Sequence, residues 1–290
     1  MQKLFFYLSL PFIYFIAYLP FPILYLFSDA LFFIIYYITK YRKGLIYKNL
    51  KNAFPQKTEA EIKKIAKDYY VFFCDFLLET VKMLAMSKTT MMRRVKFTNL
   101  DFIEKYAQKK QSIFIMLGHS GSWEWASPSF ELQTPFHVLA IYKPLTNKLI
   151  DSLVLKLRTR FGQEATSMKN TLRNIIRLKH QLTVTAFIGD QRPNPRDAYW
   201  TIFLNQETGF LWGTEKLAQK FNTPVVFAEI IRPQRGFYEV RFDEISDDPQ
   251  NTQEGEITEK FARKLESQIQ ENPHLWLWSH NRWKDKKPMA

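Results

Sequence analysis

Thiols are almost missing from this 290-residue chain, with Cys74 the only cysteine. No intrachain disulfide can form, and a zinc site built from several cysteines is excluded; the scarcity fits a reducing compartment. The five histidines include no His-Glu-x-x-His spacing, so no metal site is expected. A Gly-x-Ser-x-Gly elbow is absent, as is a clear Ser-His-Asp order, which argues against a serine hydrolase. There is no internal repeat, heptad series or low-complexity tract, so one catalytic domain is expected rather than an array. Charge is missing altogether from Leu4 through Ser28.

That uncharged run, rich in Phe, Tyr, Leu and Ile, exceeds the ~20 residues needed to cross a bilayer core. Pro11, Pro20 and Pro22 interrupt it. Proline removes a backbone donor and kinks a helix, so the run reads either as one span or as two shorter helices dipping into one leaflet. Its length, its aromatic character and the lack of a small-x-small site argue against a cleaved signal peptide. Lys40, Arg42, Lys43, Lys48 and Lys51 follow with no acidic residue among them. Such a cluster places the downstream chain on the cytoplasmic, anionic-lipid side, the plain alternative being a solvated basic loop. The formal charge of +13 implies an anionic partner, whether nucleic acid, phospholipid or an acidic carrier protein. We therefore expect a membrane anchor over residues 1–40 and a catalytic domain over 41–290.

Thr58 and Glu61 form a capping box, and the apolar spacing that follows predicts a long helix to Leu84. Strands are expected at Ser112–Leu117, Phe136–Tyr142, Thr183–Ile188, Tyr199–Leu204, Pro224–Ile231 and Phe237–Phe242. Helices are expected at Trp123–Leu132, Asn147–Phe161, Met168–His180, Leu211–Phe221 and Glu254–Gln270. This alternation gives an α/β fold, a mixed central sheet covered by helices behind an N-terminal helical anchor.

A His-x4-acid pattern occurs twice, at His119/Glu124 and at His280/Asp285. So short a motif arises easily by chance, and on spacing alone a structural histidine with an ordinary first-turn glutamate fits equally well. Context separates the two pairs. The run Ile113–Leu117 reads as a buried strand, Gly118 permits a sharp turn, and Ser120 and Ser122 are good helix N-caps ahead of Trp123. His119 thus falls at a strand's C-terminal end, where open α/β sheets place their ligands. Glu124, in the following first turn, is expected to reach back to one imidazole nitrogen, leaving the other to take a proton from an attacking hydroxyl. His280 and Asp285 lie in a basic tail without that setting.

The stretch Gly118-His119-Ser120-Gly121-Ser122-Trp123-Glu124-Trp125 resembles the signature of the bacterial late lipid A acyltransferases, the lauroyl and myristoyl transferase family, within the glycerolipid acyltransferase-like folds. Ile141–Asn147 is similar to that family's Tyr-Arg-Pro-x-x-Asn segment, with Lys143 in place of the arginine and so without its planar fork. Arg158-Thr159-Arg160-Phe161-Gly162, Asp190-Gln191 and Trp276–Lys284 resemble three further blocks in the same order, so the resemblance covers nearly the whole chain. It implies transfer of a fatty acyl group from an acyl carrier protein thioester to a hydroxyl of a lipid A precursor, at the cytoplasmic face of a bacterial inner membrane. No cofactor is implied. In that reading His119 is the general base, Glu124 orients it, and Lys143, Arg158, Arg160, Asp190 and Gln191 bind substrate. The two arginines would meet phosphate, or else be exposed helix arginines; Asp190 would orient substrate, or else cap a turn. Serine replaces the family's usual asparagine at Ser122, where a hydroxyl is expected still to cap the helix.

The residues allow other readings. The alternative acceptors are a lyso-phospholipid, an aminolipid or a mannosylated lipid; water as acceptor would make a membrane-bound thioesterase; and a noncatalytic basic adaptor would need neither His119 nor Glu124. The tail tryptophans interleaved with basic residues suggest nucleic-acid stacking in isolation, but an apolar anchor upstream argues against a nucleic-acid partner.

Overall fold

The computed structural model describes residues 2–288. Five helices precede the sheet, the first four being α1 (Gln2–Tyr18), α2 (Phe21–Phe33), which runs on through a π-helical turn Ile34–Ile38, α3 (Lys43–Ala53) and α4 (Glu59–Lys82). The Thr58 capping box is formed, with the Glu61 N–H donating to Thr58 Oγ1 and the Thr58 N–H to Glu61 Oε2 at 2.8 Å. Beyond α5 (Lys88–Arg94) come β1 (Val95–Phe97), α6 (Leu100–Gln108), β2 (Ile113–Leu117), α7 (Trp123–Gln133), β3 (His137–Tyr142), α8 (Lys148–Thr159) and β4 (Glu164–Ser167). The chain continues through α9 (Thr171–Arg177), β5 (Thr183–Ile188), β6 (Ala198–Phe203), β7 (Gln206–Leu211), α10 (Gly213–Phe221), β8 (Val225–Gln234), β9 (Phe237–Ser246) and α11 (Glu256–Glu271).

Seven strands form one mixed sheet in the order β1-β9-β8-β2-β5-β3-β4, in which β8 and β9 are antiparallel and the other neighbours parallel. The expected α/β architecture is present. The strand read at Tyr199–Leu204 exists as β6, but it pairs with β7 in a separate antiparallel hairpin. β2 sits at the centre between β5 and β8 and is buried along its whole length. Its side chains alternate: Ile113, Ile115 and Leu117 enter one apolar core, Phe114 and Met116 the other. Helices α7 and α8 contribute Phe130 and Leu157 to the first core, and α11 contributes Phe261 and Leu265 to the second. One helix among the described residues, Phe21–Ile38, is long and apolar enough by length and composition to cross a membrane.

The sheet order decides what meets at its rim. Parallel neighbours β2 and β5 pair Leu117 with Ile188, so the residues two positions further on, His119 and Asp190, leave the sheet side by side. Between them stand Gly118 and Gly189, both pressed on α11: a Cβ on Gly118 would lie 2.4 Å from Leu265 Cδ1, and one on Gly189 2.7 Å from the Phe261 ring.

Candidate active site

His119 is held on three sides. Its Nδ1 lies 2.6 Å from Asp190 Oδ1, its backbone N–H donates to Asp190 Oδ2 at 2.9 Å, and its ring meets Trp123 edge to face with centroids 5.0 Å apart. The Trp276 indole N–H donates to the same Asp190 Oδ2 at 2.8 Å. Burial alone would raise the Asp190 carboxyl, but the adjacent imidazole and these N–H donors outweigh it and hold the group down at about 2. An ionised carboxylate only accepts hydrogen bonds, so Nδ1 carries a proton, and in the neutral imidazole the lone pair falls on Nε2.

His119 opens onto a cleft of about 580 Å³, whose walls include Trp123, Glu124, Tyr142, Lys143, Arg158 and Gln191. That is room enough for an extended small-molecule or acyl substrate. Leu117, Ser127 and Ala186 also border a narrower, chiefly apolar slot among Phe97, Phe130, Val138 and Phe242.

The expected bond from Glu124 to His119 is not formed. Both carboxylate oxygens of Glu124 are taken by Arg158, Nε donating to Oε2 at 2.9 Å and Nη2 to Oε1. The reason is geometric: α8 returns beside α7 and lays Arg158 across Glu124, while the parallel β2–β5 register supplies His119 with Asp190 instead. The hydrogen-bond partner of the His119 imidazole is therefore Asp190, 71 positions further along the chain, and not Glu124.

Arg158, expected to meet phosphate, is committed to that ion pair. Burial would lower its guanidinium, but Glu124 more than compensates and its pKa is raised. Arg160 turns away from the cleft and donates through Nη1 to the carbonyls of Met83, at 2.9 Å, and Met86, tying α8 to the end of α4. Of the expected substrate-binding residues, Lys143 and Gln191 line the cleft alongside Arg158, and Asp190 lies buried behind His119. Asn147, in the same block as Lys143, caps α8 by accepting from the Leu149 N–H at 3.0 Å. Ser122 occupies the N-cap position of α7 but makes no capping bond; its hydroxyl is buried and unpaired, its backbone standing at φ −96°, ψ 73°.

The C-terminal tail is part of the site. Leu277 N–H donates to the His119 carbonyl at 3.0 Å, Gly121 N–H donates to the Leu275 carbonyl at 3.0 Å, and Ser120 bridges to Trp276. Trp276 was legible only as part of a resembling block; nothing in its local chemistry points to the buried carboxylate it holds. His280 and Asp285, the second His-x4-acid pair, do not pair with each other: Asp285 bonds Arg192 at 3.0 Å, and His280 is pushed down to about 4, chiefly by burial. Among the described residues no group of three or more His, Cys, Asp or Glu side chains is placed to hold a metal ion.

Comparison with known proteins gives a match over residues 1–285 to the model of a family described as bacterial lipid A biosynthesis acyltransferase. The chain is also 23% identical over 270 residues to the lipid A biosynthesis lauroyltransferase of Escherichia coli (strain K12), an alignment spanning 92% of this chain and 87% of that relative.

Proposed function

Because the chain belongs to the bacterial lipid A biosynthesis acyltransferase family, we propose that it moves a fatty acyl chain from an acyl carrier protein thioester to a hydroxyl of a lipid A precursor, with His119 as general base and Asp190 as the residue that orients it. The observation that carries this reading is the Asp190–His119 contact of 2.6 Å at the cleft, which supports Nε2 as the nitrogen that takes the proton.

In the reaction Nε2 takes the acceptor hydroxyl proton as its oxygen attacks the thioester carbonyl carbon. The C–O bond forms, the C–S bond breaks, and the imidazolium returns its proton to the departing thiolate, so that His119 ends neutral. Asp190 stabilises the transient imidazolium without itself taking the proton. A thiolate is a good leaving group and the base is resident, so the reaction as written needs no cofactor. Glu124, locked by Arg158, supplies a fixed polar wall near the reacting atoms, and Lys143 and Gln191 are placed to contact the polar parts of substrate. The acyl chain lies along the cleft with its methyl end toward the slot at Phe97 and Phe130. The +13 charge suits both an acidic carrier protein and an anionic glycolipid, and the basic cluster Lys40–Lys51 suits the cytoplasmic face of the inner membrane.

The test is acyl transfer by the purified protein, supplied with an acyl carrier protein thioester and an under-acylated lipid A precursor and followed by mass spectrometry. The expected product gains one acyl chain, and its formation disappears in His119→Ala. Product formed equally on a lyso-phospholipid would reassign the acceptor. Free fatty acid released at the same rate with and without lipid would make the protein a thioesterase.

A further inference from the structure

We infer that the N-terminal helices do not cross the bilayer but lie along one leaflet, presenting a continuous apolar face to an anionic phospholipid surface with the mouth of the catalytic cleft beside it. The inference rests on the membrane location proposed above; its geometry comes from how α2 is fastened.

α2 and its π-helical extension run antiparallel along α4. Tyr25 Oη donates to Glu79 Oε1 at 2.8 Å, Ser28 Oγ to Asp75 Oδ1 at 2.6 Å, and Tyr36 meets the Tyr70 ring edge to face at 5.2 Å. Arg235, at the β8–β9 turn, closes the latch by donating to both Asp29 and Asp75. Lys82 Nζ fixes the corner between α1 and α2 by donating to the Ala17 and Leu19 carbonyls at 2.8 and 2.6 Å.

α2 therefore shares its direction with a helix of the catalytic domain for about 18 Å, taking ~1.5 Å per residue from Tyr70 to Lys82. If Phe21–Ile38 spanned a bilayer in this arrangement, Asp75, Glu79 and Lys82 would enter the hydrocarbon with it, and so would the β8–β9 turn. Ionisable groups at that depth are costly. The docked helices have another use for their free faces. Phe5 and Phe12 on α1, and Leu26 and Ile38 on α2 and its extension, are between 61% and 77% exposed. Large apolar side chains repeat along these faces at helical spacing, and Asp29, the acidic residue of this segment, is paired with Arg235. Lys40, Arg42, Lys43 and Lys48 follow at the end of that surface, as they would where an apolar face sinks about 5–10 Å into a leaflet of negatively charged headgroups. α1 also abuts α8, Lys156 Nζ donating to Tyr14 Oη at 3.2 Å, and α8 walls the cleft with Arg158. Leu145 and Met168 are exposed apolar side chains of the cleft lining itself. The acceptor lipid thus reaches His119 sideways from the leaflet.

Single-cysteine probes test this in the full chain, with buried Cys74 replaced by alanine and transfer activity confirmed for each variant. Tyr18→Cys, Phe12→Cys and Leu26→Cys, labelled with an environment-sensitive fluorophore, are bound to phosphatidylglycerol–phosphatidylethanolamine vesicles carrying nitroxide quenchers at shallow or deep acyl positions. The in-plane seat predicts stronger quenching by the shallow nitroxide at all three sites, and weaker vesicle binding when phosphatidylcholine replaces phosphatidylglycerol. Preferential deep quenching at Leu26→Cys, or labelling of Tyr18→Cys in spheroplasts by a membrane-impermeant maleimide, would overturn it while leaving the membrane location standing. Failure to sediment with either vesicle, with transfer to detergent-dispersed acceptor intact, would remove the membrane location together with the seat and leave acyl transfer unaffected.

Discussion

Asp190 and Glu124 are both buried acids near His119, yet they keep different electrostatic company. Asp190 faces an imidazole and N–H donors; Glu124 faces a guanidinium. Removing the Glu124 carboxylate strands Arg158 in a poorly solvated wall, so Glu124→Ala is expected to cost on the order of 3 kcal/mol. Chemical denaturation of Glu124→Ala, Arg158→Met and the double variant measures it: the double variant should be more stable than Glu124→Ala, and strict additivity would show that the pair is not coupled. His280 gives a pH signature of its own. Its pKa is depressed from the ordinary 6.5 to about 4 by burial, so between those values the unfolded chain holds a proton that the folded one lacks. The stabilisation is complete above about 6.5 and is lost as pH falls toward 4. In His280→Gln the melting temperature should vary less across that window; an unaltered pH slope would contradict this origin.

At the scale of elements, the site is a product of strand order. Two strands separated in the chain by β3 and β4 lie side by side in parallel, and each is followed by a glycine and then a polar residue. Gly189→Ala places a Cβ 2.7 Å from the Phe261 ring, and overpacking of that kind costs about 1–3 kcal/mol. Thermal unfolding should show the loss, with partial recovery when Phe261→Leu is added; a Gly189→Ala protein as stable as the parent would mean that α11 yields freely. Much of this framework could be read from residues alone. The apolar runs of β2, β3, β5, β8 and β9, the capped start of α4 and the helix after Ser122 all carry local signals, and His119 was placed correctly at a strand end. Its hydrogen-bond partner was not, because local pattern identifies strands but says nothing of which strands neighbour each other. The same limit hid the return of α8, which lays Arg158 on Glu124, and the fold-back of the tail, which brings Trp276 to Asp190. β1 and β4, three and four residues long, are too short to show a period.

The whole molecule sets a cleft beside the exposed apolar faces of α1 and α2, with a narrower slot behind. Leu117, Ser127 and Ala186 stand where cleft and slot meet, so Ala186→Leu is expected to shift donor preference toward shorter acyl chains; competition between two thioesters of different length reads this directly, and an unchanged product ratio would place the acyl chain elsewhere. The proposed acyl transfer depends on His119 being held as a base by a residue that the sheet, and not the local motif, delivers. The rate of acyl transfer by Asp190→Asn at saturating donor and acceptor is the most direct measurement of that. An amide that no longer fixes the Nδ1–H tautomer should slow turnover by about 10²- to 10⁴-fold with little change in KM. Turnover within about threefold of the parent would contradict it.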